Sequence, residues 1–279
     1  MLDSIVDAPA SAPSLDARPA AWPLGELFRD IARGGIAGII VGVFVAGLGG
    51  RIVMRIAAIL HPRAVGLTTE NGEVIGDVTL NGTMALLVFG GLGMGLVAGT
   101  IWVIVSPWFP GRGFVRGLVT AAMAIALGTP LLIQGTNPDF TILRRDPLVL
   151  ALLVGLVGLV GLSIAIVDRA LDARLPPALP GITGATVGYV VVTLLGLGLI
   201  LPVTIGILLV QREYDAPIRA GWALAVVGAC TVIWWAMRAK GRSAPPMPLR
   251  AGATASLLVA CGLGLMTGLP HVLRAAGIR

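Results

Sequence analysis

Residues 174–202 read RLPPALPGITGATVGYVVVTLLGLGLILP, and residues 242–270 read RSAPPMPLRAGATASLLVACGLGLMTGLP. At a constant offset of 68, Arg174, Pro177, Pro180, Gly184, Ala185, Thr186, Val191, Leu195, Gly196, Leu197, Leu201 and Pro202 match Arg242, Pro245, Pro248, Gly252, Ala253, Thr254, Val259, Leu263, Gly264, Leu265, Leu269 and Pro270, which is 12 identities in 29 positions. A proline inside a helix removes a backbone hydrogen bond, so the proline-rich entry reads as a turn. The apolar stretch after it reads as a membrane-crossing helix, bent near its far end at Pro202 or Pro270. A looser copy runs from Pro107 and Pro110 to Pro130. The pattern predicts helix-hairpin repeats of about 70 residues.

Moving outward, charge-free runs cover 34–50, 78–111, 117–138, 147–167, 175–211, 220–237 and 251–273. A bilayer core about 30 Å thick needs roughly 20 helical residues, so each run supports one crossing. The expected fold is an all-α integral membrane protein with seven transmembrane helices near 27–60, 83–106, 114–133, 147–171, 184–210, 217–239 and 251–274. Composition requires the same class, because 56% apolar and 12% charged residues leave too little polar surface for a soluble chain of this length. Residues 1–22 mix Ala, Pro, Ser and Asp without an apolar period and are expected to be a disordered cytoplasmic tail. Residues 23–279 form the polytopic domain, with 23–33 read as an interfacial helix leading into the first span.

Arg and Lys divide eleven to nine between the N-terminal side and the opposite side, which favours the N-terminus inside and the C-terminus outside. The net charge of +6 is spread over both sides without a basic run, which argues against nucleic acid as a partner. The dominance of Arg over Lys fits a bacterial chain, and the expected location is the cell membrane, with the lipid bilayer as the first partner. Cys230 and Cys261 lie within apolar spans and read as small apolar side chains.

Gly34, Gly38, Gly42, Ala46 and Gly50 recur at four-residue spacing in the first span, and Gly91, Gly95 and Gly99 in the second. Such stripes let helices approach closely and predict packing seams, within the chain or toward a membrane-protein partner or a second copy. The polar segment between these spans carries Asn71-Gly72, a two-residue hairpin signal, and predicts a small outer β-hairpin near 66–80. Asn81-Gly82-Thr83 reads as the cap of the second helix. Trp102, Trp108, Trp234 and Trp235 fall near one membrane interface and Trp222 near the other, as an aromatic belt would.

If spans two and three, four and five, and six and seven are copies of one hairpin, bends at Pro130, Pro202 and Pro270 fall at one depth and open an outward vestibule. The first span then lies outside the repeat. This outline of three proline-bearing helix pairs resembles that of mitochondrial carriers. Those carriers place charged residues beside the proline, whereas Thr129, Leu201 and Leu269 stand there in this chain, so their function is not carried over.

The span centres hold hydroxyls but essentially no ionisable groups, which disfavours a charge-coupled transporter. Arg51 and Arg55 lie four apart on one helix face, and with Arg63 they form a candidate clamp for a phosphate or anionic headgroup. His61 and His271 do not make a metal site, no nucleotide or nucleophile motif occurs, and neither cofactor nor catalytic residue is expected. The sequence favours a structural or accessory membrane subunit. A passive transporter or channel for a small solute and an anionic-lipid binding or processing protein are the alternatives.

Overall fold

A computed structural model describes residues 22–69, 74–77, 79–111, 113–133, 135–143, 145–178, 183–210 and 218–278. The expected tail up to Ala21, the Asn71-Gly72 turn and Pro180 lie outside these residues. Seven helices are long and apolar enough to cross a membrane: α1 (Pro23–Leu60), α2 (Gly82–Trp108), α3 (Gly113–Leu132), α4 (Pro147–Arg174), α5 (Gly184–Ile205), α6 (Arg219–Ala239) and α7 (Met247–Ala275). The molecule is a multi-pass helical bundle. Its N-terminal face carries the start of α1 and the α2–α3, α4–α5 and α6–α7 connections, and its opposite face carries the rest.

Helix boundaries follow local chemistry. Asp146 caps α4, its carboxylate accepting from the Leu148 backbone N–H at 2.7 Å, with Pro147 at the first helical position. At the start of α2 the Thr79 hydroxyl accepts from the Gly82 N–H at 3.0 Å, because its extended backbone turns the hydroxyl toward the first helical amides, while the Asn81 side chain lies outside the described residues. The 23–33 segment forms the first turns of α1, which runs on without a break through Leu60.

Helix α1 sits at the centre and packs against α2, α4, α5 and α6, while α3 packs most extensively on α4 and also meets α7. Close approach is made at glycines. A Cβ at Gly38 would lie 2.4 Å from the Gly95 carbonyl oxygen, and one at Gly42 would lie 2.2 Å from that of Gly91. On α7, a Cβ at Gly264 would meet the Ala126 carbonyl of α3 at 2.3 Å. These contacts bring backbones together without side chains between them. Trp102, Val105, Trp108, Met123, Ile164 and Val227 fill the buried centre. Outside, large apolar side chains such as Leu199, Ile59 and Met266 stand exposed, as a lipid-facing surface requires.

Two expectations meet a different arrangement here. Trp102, Trp108 and Trp234 are buried between helices rather than set in an interfacial belt, while Trp222 is exposed. The Trp108 indole N–H donates to the Thr231 hydroxyl at 2.8 Å, tying α2 to α6. Between α1 and α2, an isolated antiparallel bridge joins Thr68 to Val74, and the described residues contain no β-strand.

The hairpin repeat has no counterpart in the packing of the described residues. Helices α6 and α7 pack closely, whereas α2 and α3, and α4 and α5, make at most marginal contact. Gly264 is pressed onto α3, but the matched Gly196 meets nothing and begins a widened π turn, Gly196–Ile200, that α7 lacks. Helix α1, read as an addition outside the repeat, sits at the centre of the bundle.

Candidate functional site

Two cavities share one wall, Trp102. The first is an apolar chamber of about 330 Å³ between α1, α2, α3, α4 and α6. Met54, Leu86 and Ile133 line one end, and Trp102, Thr120, Ile164 and Leu224 line the other. From Gly42 to Met54 the α1 wall spans about 18 Å at the usual helical rise. Among the described lining residues only Thr120 and Trp102 carry hydrogen-bonding side chains, and the Thr120 hydroxyl turns back to the Arg116 carbonyl at 2.7 Å. Widened π turns face each other here, Gly42–Gly47 in α1 and Leu86–Gly93 in α2. Such turns rotate the following residues off the regular stripe. Gly34, Gly38 and Gly42 accordingly press on α2, while Ala46 and Gly50 border the chamber.

The second cavity, about 290 Å³, lies at the N-terminal face and is polar. Arg33, Arg116, Arg238, Asp30 and Asp168 line it, with Trp102, Trp234 and Trp235. It belongs to a larger charged plate that joins α1, α4 and α6. The Arg33 Nε donates to Asp168 at 2.8 Å, and its Nη1 also reaches Asp172. Arg29 donates to the Asp172 carboxylate at 2.9 Å and to the Asp172, Leu175 and Pro176 carbonyls at 2.7, 3.1 and 3.1 Å. This guanidinium closes the C-terminal end of α4, where unsatisfied carbonyls concentrate negative potential. Arg238 binds Asp30 at 2.5 Å, and the Glu26 carboxylate accepts from the Ala178 N–H at 2.8 Å.

The reading of the sequence passed over this plate. A signal was present: Glu26, Arg29, Asp30 and Arg33 share one face of α1, and Asp168 and Asp172 lie four apart on α4. Their complementarity becomes visible only when the two helices are brought together. Asp168, with 7% of its surface exposed, is a buried carboxylate within a membrane helix.

The candidate clamp falls on the opposite face. Arg51 donates to the Thr83 hydroxyl at 2.8 Å and to the Thr79 carbonyl at 3.3 Å, Arg55 to the Gly76 carbonyl at 3.3 Å, and Arg63 is exposed. Arg51 and Arg55 thus tie the end of α1 to the first turn of α2 and to the segment before it. Near them His61 Nε2 lies 2.8 Å from the Asp146 carboxylate. The Leu148 N–H, aided by His61, holds that carboxyl below its ordinary titration range.

Of the three bend positions, Pro130 is buried and packs beside Gly268 of α7. Pro202 lies in a short α-helical stretch, Leu201–Ile205, between two widened turns, and Pro270 lies within α7. The chamber includes Gly128 and Leu131 beside Pro130 but no lining residue from α5 or α7, so the prolines do not ring it. Among the described residues, no group of three or more His, Cys, Asp or Glu side chains could hold a metal ion. Cys230 and Cys261 are free and half-buried. No family model, curated protein or solved structure matches the chain.

Proposed function

We propose that the protein binds an elongated apolar molecule drawn from the bilayer and holds or passes it within the apolar chamber. This joins the lipid-binding and passive-carrier readings of the sequence. The observation that carries it is the chamber itself: about 330 Å³ of almost wholly apolar lining, bordered by two facing π turns. Binding pockets for small molecules commonly start near about 300 Å³ and are mostly apolar. A polar solute would find no hydrogen-bonding track in such a lining, so the ligand class is apolar. In the orientation favoured by the Arg and Lys distribution, the charged plate faces the cytoplasm of a bacterial cell, and the end of the chamber near Met54 faces outward.

Gly50 supplies the test. A Cβ there meets only Leu86 Cδ2, at 3.8 Å, so Gly50→Leu fills the chamber without disturbing its backbone. Saturable quenching of tryptophan fluorescence by 1-bromohexadecane is expected for the wild-type protein in detergent, through Trp102. In Gly50→Leu the affinity drops at least about tenfold, about 1.4 kcal/mol, while the melting temperature holds. Equal quenching in both proteins would show that the chamber is not the binding site.

The accessory-subunit reading keeps one specific support. The glycine stripe of α1 is used inside the chain, but Gly184 and Gly188 of α5 meet nothing within 4 Å, and α5 is the least buried of the seven helices. A second membrane helix could seat there.

A further inference from the structure

We infer that the polar cavity at the N-terminal face is a binding site for a single anionic group, a phosphate or carboxylate, held by Arg116. The inference is independent of the apolar chamber. Its starting point is the pairing of charges around the cavity. Arg29 has Glu26 and Asp172, Arg33 has Asp168, Asp30 and Asp172, and Arg238 has Asp30. Arg116 has no carboxylate within 4 Å among the described residues, although it lines the same cavity. Of the charges on the lining, three are positive (Arg33, Arg116, Arg238) and two negative (Asp30, Asp168), an excess of one cation.

Arg116 is also incompletely bonded. One Nη2 donates to the Ser106 carbonyl at 2.9 Å, and the guanidinium stands 5.2 Å from the centre of the Trp102 ring. Its Nε is buried and has no acceptor, and neither does the buried Nε1 of Trp102, a residue only 2% exposed. Two adjacent buried donors without acceptors, one of them charged, are costly unless an acceptor arrives. Asp168 attracts Arg116 and faces the Trp102 indole but completes a hydrogen bond to neither, its 2.8 Å bond going to Arg33. A guanidinium presents paired donors that fit the oxygens of phosphate or carboxylate, and a water-poor surround strengthens the contact. The surrounding indoles of Trp102, Trp234 and Trp235 provide that surround. The anion has two sources, a free phosphate or the headgroup of an anionic lipid, and the chemistry recognised is the same.

Phenylglyoxal modification of Arg116, mapped by mass spectrometry on the full chain, tests the site without altering it. The arms are inorganic phosphate on protein in phosphatidylcholine nanodiscs, and nanodiscs that also contain phosphatidic acid without added phosphate. Saturable protection of Arg116 by phosphate identifies a free anion, and protection by phosphatidic acid alone identifies a headgroup. Absence of protection in both arms overturns the site. Binding read by tryptophan fluorescence should weaken at least about tenfold in Arg116→Gln and less in Arg116→Lys, which keeps the charge but loses the paired donors. A folded Arg116→Gln that binds as tightly as the wild type likewise overturns it. Because 1-bromohexadecane binding is read separately, failure at the chamber and failure at Arg116 are distinguishable.

Discussion

Helix α1 carries two arginine pairs at the same four-residue spacing, Arg29 with Arg33 near its start and Arg51 with Arg55 near its end. Their fates differ. The first pair is mostly enclosed and locks into Asp168, Asp172 and three main-chain carbonyls from α4 and its exit. The second pair takes one hydroxyl from the first turn of α2 and two carbonyls from the segment before it, and meets no carboxylate among the described residues. Equal spacing on one helix therefore does not imply equal roles. The energetic weight of a charge depends on what the neighbouring helix offers and on how much water remains, because desolvated ion pairs are strongly coupled and exposed ones are screened.

The largest expected effect comes from breaking the enclosed pair. Asp168→Ala leaves Arg33 without its buried partner and should cost about 3 kcal/mol, read as a lower midpoint in thermal or detergent denaturation. A change within experimental scatter would show that the plate is not a structural lock. An intermediate effect belongs to Asp146, the cap at the other end of α4. Asp146→Ala should cost about 1 kcal/mol at neutral pH. Its carboxyl titrates lower in the folded protein than in the unfolded chain, so its contribution is fully present above the unfolded value, about 3.9. That contribution is lost as pH falls through the lower folded value, and the stability gap between wild type and variant should close there. A gap that widens on acidification would contradict the assigned sign. The smallest effect is expected for the double variant Arg51→Ala, Arg55→Ala, within about 1 kcal/mol in total, with lipid co-purification unchanged. Loss of a bound anionic lipid in that variant would restore the outer clamp and reverse the contrast between the two pairs.

How much could be read beforehand varied with the kind of interaction. The number of crossings was legible because a charge-free run of sufficient length has one economical solution in a bilayer. The seam between Gly38, Gly42 and Gly91, Gly95 was legible as a local stripe. That it would stop at Gly42 was not, since the π turns that divert Ala46 and Gly50 to the chamber wall depend on the facing helix. The resemblance between 174–202 and 242–270 is real as a match of letters, yet Gly196 and Gly264 occupy unlike surroundings. Similar apolar patterns satisfy the same membrane requirement without the same neighbours.

Arg116 shows the boundary most clearly. As a letter it is one of many basic residues at a helix start, with no motif around it. Its meaning comes from counting carboxylates on two other helices, α1 and α4, and finding each engaged by another arginine.

The sequence by itself determined that this is a multi-pass helical membrane protein, because hydropathy, run length and proline placement are local properties that a bilayer converts directly into crossings. The tertiary structure decided which charges neutralise one another, which one is left over, and where helices part to leave a chamber. Those outcomes depend on distances between residues far apart in the chain, and Coulomb energy and packing both change steeply over a few ångströms.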